Sequence, residues 1–364
     1  MKICFSGKIY SSAIGKMTGG AEGQIWLIAK YLSLFNHKIY VIDFDIKKDK
    51  KIDGISFLSL KSRLSLKFLW SFSFFKLLKN INADIYYCRV RSFHHLIPLY
   101  VSKKNNSQII YHVAHDLETN SFNERLKLDY LNMSFLKSLK KLVHAEIFSN
   151  FILNKFSKII VQNKFQYKFL KRKKFKNIYL IPNVVERNTF HDKNFKLKCK
   201  DYFITIGYLN KRKGIENLYK IIKNNLDKNF VIIGRATDNF AKSFLIKIQK
   251  FKNVFYFNNL NKEKTMLYLN NSKALLSTSF IEGFPNVFLE AWLYGKPVLS
   301  LYINPSGILN DRKLGVFFND VNKLINDIKK NNYNNLNSSY IKNWVKKNHD
   351  PKLIVTKLNK ILNK

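Results

Sequence analysis

The chain is 364 residues long and carries 64 Lys and Arg against 24 Asp and Glu, a formal charge of +40. At roughly 100–200 residues per domain this length gives two domains, and with 46% hydrophobic residues a sizeable core is no obstacle. Cys4, Cys88 and Cys199 stand far apart without metal-type spacing, which argues against a disulfide framework or a zinc site and for a reducing compartment. No apolar run approaches the roughly 18 residues of a membrane span.

Ile3-Cys4-Phe5 makes Lys2–Ser6 a first strand, and Ser6-Gly7-Lys8 interrupts it too early for a signal peptide. After a long loop, Met17-Thr18-Gly19-Gly20-Ala21-Glu22 opens a helix from about Ala21 to Phe35. The paired glycines Gly19 and Gly20 allow close approach of backbone to a ligand, although the spacing of a dinucleotide fingerprint is absent. Strands follow at Lys38–Asp43, Asp84–Cys88, Gln108–His112 and Lys158–Val161. Their alternation with helical patterns implies a parallel sheet with crossover helices. Tyr111-His112-Val113-Ala114-His115-Asp116-Leu117 ends one strand with two histidines, and no third ligand is spaced to make them a metal site. His94-His95 reads as packing or surface.

Lys61 to Lys79 (KSRLSLKFLWSFSFFKLLK) and Phe135 to Val143 (FLKSLKKLV) interleave lysines with aromatic and aliphatic residues, and Phe169 to Lys176 is another basic run. Such segments suit a membrane interface, with Trp70 and the phenylalanines buried and lysines on headgroups. They suit equally a core-packed helix with a solvated basic face. The charge itself fits a nucleic-acid partner or an anionic membrane surface, or a composition rich in Lys, Asn, Ile and Phe from an AT-rich genome. No recognised nucleic-acid motif accompanies it.

A second βα series begins at Asp201–Gly207 and continues through Phe230–Gly234, Val254–Phe257 and Ala274–Ser277. Ile206 to Gly214 (IGYLNKRKG) follows its first strand: Gly207 permits a tight turn, and a cation beyond it would neutralise a leaving diphosphate. Phe280 to Ser300 reads FIEGFPNVFLEAWLYGKPVLS. Pro285 and Asn286 suit the first positions of a short helix, Gly295 suits its stop, and Pro297–Leu301 is the next strand. The free N–H groups and positive dipole end of that helix make a phosphate site. Glu282 in the preceding loop and Glu290 about 7 Å along the axis bracket it. Carboxylates repel phosphate, so their place there is explained by hydroxyls, from which each accepts hydrogen bonds. A diphosphate with a sugar at either end fits: a nucleotide-sugar, with Glu290 on the ribose and Glu282 on the transferred hexose.

The spacing of the two glutamates within EGFPN…LEAW…GKPV resembles the retaining glycosyltransferases of family 4, the glycosyl transferases group 1, of GT-B type. The resemblance implies an α/β fold of two Rossmann-like domains facing each other across a cleft. Residues 1–195 would form an acceptor-binding domain, 196–345 a nucleotide-sugar-binding domain, and 346–364 a terminal helix, Pro351–Leu362, packing back on the first. Tyr179–Asn183 resembles the last strand of the first domain, and the polar stretch to Lys200 is the linker. Lys213 matches the family's lysine, whereas Tyr208 stands where an arginine is expected, and Arg212 is the residue that would replace that charge. His115 would touch the donor sugar, with His112 as competitor. The catalytic set is thus Glu282, His115 and Lys213. Glu290, Arg212, Gly283, Phe284, Pro285, Asn286, Val287, Gly207 and Gly234 would bind the donor, with Gly19 and Gly20 in the acceptor and diphosphate loop. The base would be read by backbone near 257–262. Asn304-Pro305-Ser306-Gly307 resembles a loop of one branch of the family and receives no role.

The implied reaction is transfer of a hexose from a UDP- or GDP-sugar to a hydroxyl of a saccharide or lipid-linked acceptor, with retention and without metal or other cofactor. Bacterial surface polysaccharide synthesis, as of capsule or O-antigen, is the expected setting. The location would be cytoplasmic, peripheral on the inner membrane, with an anionic membrane surface and no nucleic acid as partner. The rivals are a nucleotide-sugar 2-epimerase of the same fold and a basic, non-catalytic nucleic-acid-binding protein.

Overall fold

The computed structural model describes residues 1–16, 19–60, 67–118, 143, 145–187 and 195–364. Met17-Thr18, the start of the Lys61–Lys79 run and all of Phe135–Val143 but its last residue lie outside them. The chain divides into two compact units, Met1–Val184 with Pro351–Lys364, and Val185–Asp350.

The first unit is built on β1 (Lys2–Gly7), β2 (Lys38–Asp43), β3 (Lys50–Ile52), β4 (Ile55–Ser59), β5 (Ile85–Arg89), β6 (Gln108–His112), β7 (Lys158–Val161) and β8 (Ile178–Leu180). They form one sheet in the order β3-β4-β2-β1-β5-β6-β7-β8. Every pair is parallel except β3 with β4. That hairpin, absent from the sequence reading, closes over Asp53-Gly54 at φ 48° and 79°, the two left-handed residues of a tight two-residue turn. The other strands read as continuous apolar runs because both faces are covered. Successive side chains point to opposite faces, so Ile3 and Phe5 join one core and Cys4 the other. Helix α1 (Gly20–Ser33) lies on the first face. Helices α2 (Lys67–Ile81), α3 (Leu96–Lys104) and α4 (Lys164–Arg172) lie on the second. In α2 the rings of Trp70 and Phe74 pack on Phe44 at 5.3 and 5.8 Å. The described part of this aromatic and basic stripe therefore fills core, leaving Phe72 exposed.

The second unit carries β9 (Tyr202–Ile206), β10 (Asn229–Ile233), β11 (Val254–Phe257), β12 (Ala274–Ser277), β13 (Val298–Leu301) and β14 (Gly315–Phe318). The sheet is wholly parallel, in the order β11-β10-β9-β12-β13-β14. Its helices are α5 (Ile215–Lys223), α6 (Asn239–Ile248), α7 (Lys262–Asn271), α8 (Asn286–Leu293), α9 (Val321–Lys330) and α10 (Ser338–His349). Helices α6, α7, α9 and α10 start on Asp238, Asn261, Asp320 and Asn337, whose side chains accept from backbone N–H groups of the first turn. Helix α8 is apolar almost throughout, and Trp292 anchors it by donating to the Leu314 carbonyl at 2.8 Å.

Helix α11 (Pro351–Leu362) belongs to the first unit, where Ile354, Val355, Leu358 and Leu362 are buried with the α1 side chains. The units part at Val184/Val185 and Asp350/Pro351, where the sequence suggested 195 and 345. The reason is local. The Gln24 amide bonds both the carbonyl and the N–H of Val184, at 2.7 and 2.8 Å. The Val185 N–H turns instead to the His349 carbonyl, at 3.1 Å.

Candidate functional site

In the second unit the loops after β9, β10 and β12 are stitched together by glycine and backbone contacts. A Cβ on Gly234, φ 155°, would fall 1.8 Å from the Gly207 carbonyl oxygen. The strand ends thus demand glycine there whether or not a nucleotide approaches. Gly214, φ 66°, lies against the Thr278 carbonyl, which a Cβ would meet at 1.9 Å. Asn210 accepts from the Lys213 N–H at 3.1 Å and so shapes the turn before Gly214. Thr278 Oγ1 donates to the Lys213 carbonyl at 2.8 Å, and the Phe280 N–H to that of Arg212 at 3.0 Å.

This stitching places Lys213 in the lining of a hollow, together with Gly207, Tyr208, Thr278, Glu282, Pro285 and Val287 among others. Lys213 Nζ forms an ion pair with Glu282 there. The two side chains keep 27% and 15% of their surface, so the pair is shielded but reachable. Helix α8 opens at Asn286, one residue later than expected, because Pro285 is still extended at φ −64°, ψ 120°. Pro285, its N-cap, contributes no side-chain hydrogen bond, and a helix N-terminus suits an anion. Glu290, on its second turn, is held by Lys262 Nζ. The side chain of Phe284 is buried on Trp292 and His349, with ring centroids at 6.3 and 5.2 Å. Only its backbone is therefore placed to serve a ligand.

Lys262 was not legible as a site residue. It opens α7 just after β11, where backbone alone was expected to act, and one lysine among so many carries no signal. A second such residue is Arg235, next to Gly234, whose guanidinium stands over the Tyr208 ring at 5.9 Å. A cation thus sits beside the tyrosine that occupies the expected arginine position. Arg212 is half-buried, its carbonyl committed to Phe280.

In the first unit Gly19 is the residue before α1, and a Cβ there would strike Glu22 Oε2 at 2.3 Å. The glycine makes room for the acid of the first turn, with Gly20 as first helical residue. His112 is wholly buried. Its Nδ1 lies 2.7 Å from the Tyr87 hydroxyl and 3.1 Å from Arg89 Nη1. Arg89 has only protons to offer, so Nδ1 accepts and Nε2 carries the ring proton. Burial first, and Arg89 second, hold this histidine well below its ordinary pKa. His115, in the loop beyond, is half-buried, and its carbonyl accepts from the Glu118 N–H at 3.0 Å. Of the two competing histidines, His115 is the one toward the surface.

A polar network missed in the sequence surrounds them. Arg89, buried at the end of β5, also reaches Asn183 Oδ1 at 3.1 Å. Val90 beside it takes φ 66°, unusual for a β-branched residue, and its carbonyl accepts from His95 Nε2 at 2.7 Å. Burial lowers His95 to about 4, so the ring is neutral and donates. Glu118 is half-buried, its carboxyl raised by desolvation, and it accepts from the Tyr111 hydroxyl at 2.6 Å. His94 packs on Trp70 at 4.4 Å. Among the described residues no group of three His, Cys, Asp or Glu is placed to hold a metal ion.

At the ends of β12 and β13, Phe280 and Tyr302 stack with centroids 5.3 Å apart and planes at 14°. Tyr302 holds φ 71°, a conformation that costs a non-glycine residue about 1–3 kcal/mol.

Comparison with known proteins follows the same lines. Residues 186–344 match the family described as glycosyl transferases group 1. A capsular polysaccharide biosynthesis glycosyltransferase, CapH, of Staphylococcus aureus is 29% identical over 254 residues, which span 67% of this chain and 66% of that relative. Sucrose-phosphate synthase from Thermosynechococcus elongatus has a TM-score of 0.79 at 14% identity, covering 100% of this chain and 98% of that one. Anabaena HepE, solved in complex with UDP and glucose, has a TM-score of 0.68 at 15% identity, with 100% of each chain covered. At these identities the likeness establishes the fold, two Rossmann-like domains of the GT-B class.

Proposed function

We propose that this chain, whose residues 186–344 match the family described as glycosyl transferases group 1, is a member of it and transfers a hexose from a nucleoside diphosphate sugar to a saccharide hydroxyl with retention. The observation that carries the reading is the double ion pair around the start of α8, Lys213 with Glu282 and Lys262 with Glu290. A diphosphate on the helix N-terminus draws both lysines toward itself, because each of its oxygens accepts charge-assisted hydrogen bonds. Glu282 and Glu290 are thereby released to accept from the hydroxyls of the transferred sugar and of the ribose.

In the reaction the leaving diphosphate gathers negative charge, which Lys213, Lys262, Arg235 and the α8 N–H groups stabilise. No metal is required by this arrangement, since the cations are the protein's own. No carboxylate is assigned as a nucleophile: the acceptor oxygen bonds to the anomeric carbon from the side on which that carbon's bond to the diphosphate breaks, and the acceptor's proton passes to the departing diphosphate. His115 is assigned to the donor sugar, and Gly19-Gly20 to the acceptor and diphosphate.

The relative named for capsular polysaccharide biosynthesis supports a surface-polysaccharide setting, and the Anabaena neighbour solved with UDP and glucose supports a UDP-sugar donor. A lipid-linked acceptor at an anionic membrane suits the charge of +40. It also suits Val143, Ile147 and Phe151, which stand exposed four residues apart. No helix among the described residues is long and apolar enough to cross a membrane.

The test is a thermal-shift screen of UDP, GDP and their hexose derivatives, followed by turnover of the donor that binds, with and without saccharide acceptors. The expected result is stabilisation by one nucleoside diphosphate, acceptor-dependent release of it, and loss of about 100-fold in turnover in Glu282→Ala. An epimer formed without acceptor would replace this reading with the 2-epimerase. A Glu282→Ala variant of unchanged rate would remove the site assignment.

A further inference from the structure

We propose that Phe280 and Tyr302 form an aromatic platform that receives the C–H face of a pyranose ring beside Glu282; the inference deepens the glycosyltransferase reading and rests on it. Strands β12 and β13 run parallel with Ser277 opposite Ser300, so the loops leaving their carboxyl ends emerge side by side. In open α/β sheets this is the edge where ligands bind. Phe280 comes three residues after the end of β12 and Tyr302 one residue after the end of β13. Their rings lie nearly parallel, 5.3 Å apart.

Three observations set the pair apart from ordinary packing. First, Tyr302 holds φ 71°, and within the same turn Ser306 and Gly307 take 56° and 77°. Glycine would adopt the Tyr302 conformation freely, yet the position carries a bulky ring, and strain of this kind gathers where a ligand is held. Second, Tyr302 remains 37% exposed and Phe280 half-buried, so the stack is not core filler. Third, its backbone is tied to the donor hollow: the Phe280 N–H donates to Arg212, the neighbour of Lys213, and Glu282 follows two residues later. The Tyr302 N–H is fixed on the Phe318 carbonyl at 2.9 Å.

Stacked on each other, the two rings each keep one outer face, and that of Tyr302, the more exposed ring, is the one for a ligand: it is electron-rich and apolar, and a pyranose offers it a face of C–H groups while its hydroxyls project around the rim. A sugar lying on the platform would turn that rim toward Glu282, whose carboxylate accepts from hydroxyls. A nucleobase has the flat face for the same stack, but Glu290, assigned to the ribose, lies eight residues beyond Glu282 on α8. The hexose is therefore the closer ring.

The pyranose belongs either to the donor or to the acceptor, and two arms of one experiment separate these sources. Calorimetry with UDP, UDP-glucose, UDP-galactose, GDP and GDP-mannose measures how much the sugar adds to nucleotide affinity. Saturation-transfer NMR with the methyl glycosides of glucose, galactose and mannose, in the presence of UDP, reads the acceptor side. In Tyr302→Gly the melting temperature is expected to hold or rise, because the backbone is relaxed. Either the sugar's share of donor affinity or the glycoside signal is expected to fall at least fivefold, while Tyr302→Phe retains both. Tyr302→Gly with both sugar readouts unchanged overturns the platform, and a lower melting temperature alongside would make the pair a structural stack. Equal losses with UDP and UDP-hexoses would make it a base platform and overturn the sugar. Wild-type protein that binds none of the nucleotides or sugar nucleotides overturns the glycosyltransferase reading and the platform with it.

Discussion

Replacing Lys213 by Met separates the two duties assigned to this lysine. It pairs with Glu282, and the two side chains keep 27% and 15% of their surface. Breaking a fully buried pair costs about 3–5 kcal/mol and an exposed one about 0–1, so a shielded pair at this depth is worth about 2 kcal/mol. For a unit spanning Val185–Asp350 that is a fall of about 4–8 °C in melting temperature. The catalytic cost is larger, because a cation on the leaving diphosphate is worth about 100–1000-fold in kcat. Calorimetry and initial-rate kinetics with the donor that binds give the two numbers. The double variant Lys213→Met, Glu282→Gln makes them diagnostic: removing the charge left on the carboxylate is expected to return most of the lost stability and none of the rate. Wild-type kcat/KM in Lys213→Met would refute the role on the diphosphate. A double variant no more stable than the single one would refute the energetic worth of the pair.

Arg235→Ala is expected to weaken nucleoside diphosphate binding by about 10-fold or more, as for one lost charged hydrogen bond, and Tyr208→Arg in that background is expected to restore it. Calorimetry with UDP checks this, and unchanged affinity in Arg235→Ala would show that the cation over Tyr208 faces solvent only. Gly234→Ala puts a Cβ 1.8 Å from the Gly207 carbonyl oxygen, so overpacking and backbone strain together are expected to destabilise the second unit by about 3 kcal/mol; denaturant midpoints equal to wild type would contradict the close approach. The first unit is expected to lose stability in acid. His95 falls to about 4 in the folded protein from 6.5, so between these values the unfolded chain holds the extra proton. Its contribution is complete above pH 6.5 and lost as pH drops toward 4, about 3 kcal/mol in all. His112 is shifted the same way, whereas Glu118, raised by burial, acts oppositely and weakens the fold as pH rises. Thermal unfolding of His95→Phe between pH 4 and 6.5 is expected to show a shallower acid slope, and an unchanged slope would rule His95 out as its source.

Parallel strands flanked by helices on both faces must be apolar without alternation. That is why Lys38–Asp43, Gln108–His112, Lys158–Val161, Val254–Phe257 and Ala274–Ser277 could be read from the chain to the residue. The helix that begins after Pro285 was legible for a similar reason: its turn residues and its glutamates are near neighbours in sequence. The β3–β4 hairpin and β14 were not: β3 is three residues, two of them lysines, and offers no apolar run, while β14 has no such reason in its length and was simply not marked off by its Gly315-Val316-Phe317-Phe318.

What the amino-acid order alone determined is thus the local material: two βα series, glycine turns, and a helix N-terminus between two acids. Only the tertiary structure decided which cation meets which acid, because Lys213 and Glu282 are 69 residues apart and Lys262 and Glu290 are 28 apart. The same holds for Arg235 over Tyr208 and for Phe280 on Tyr302. These partners are fixed by strand order, which sets loops from different parts of the chain side by side. In a chain with 64 basic residues, no local pattern singles out the few that the sheet brings to the site.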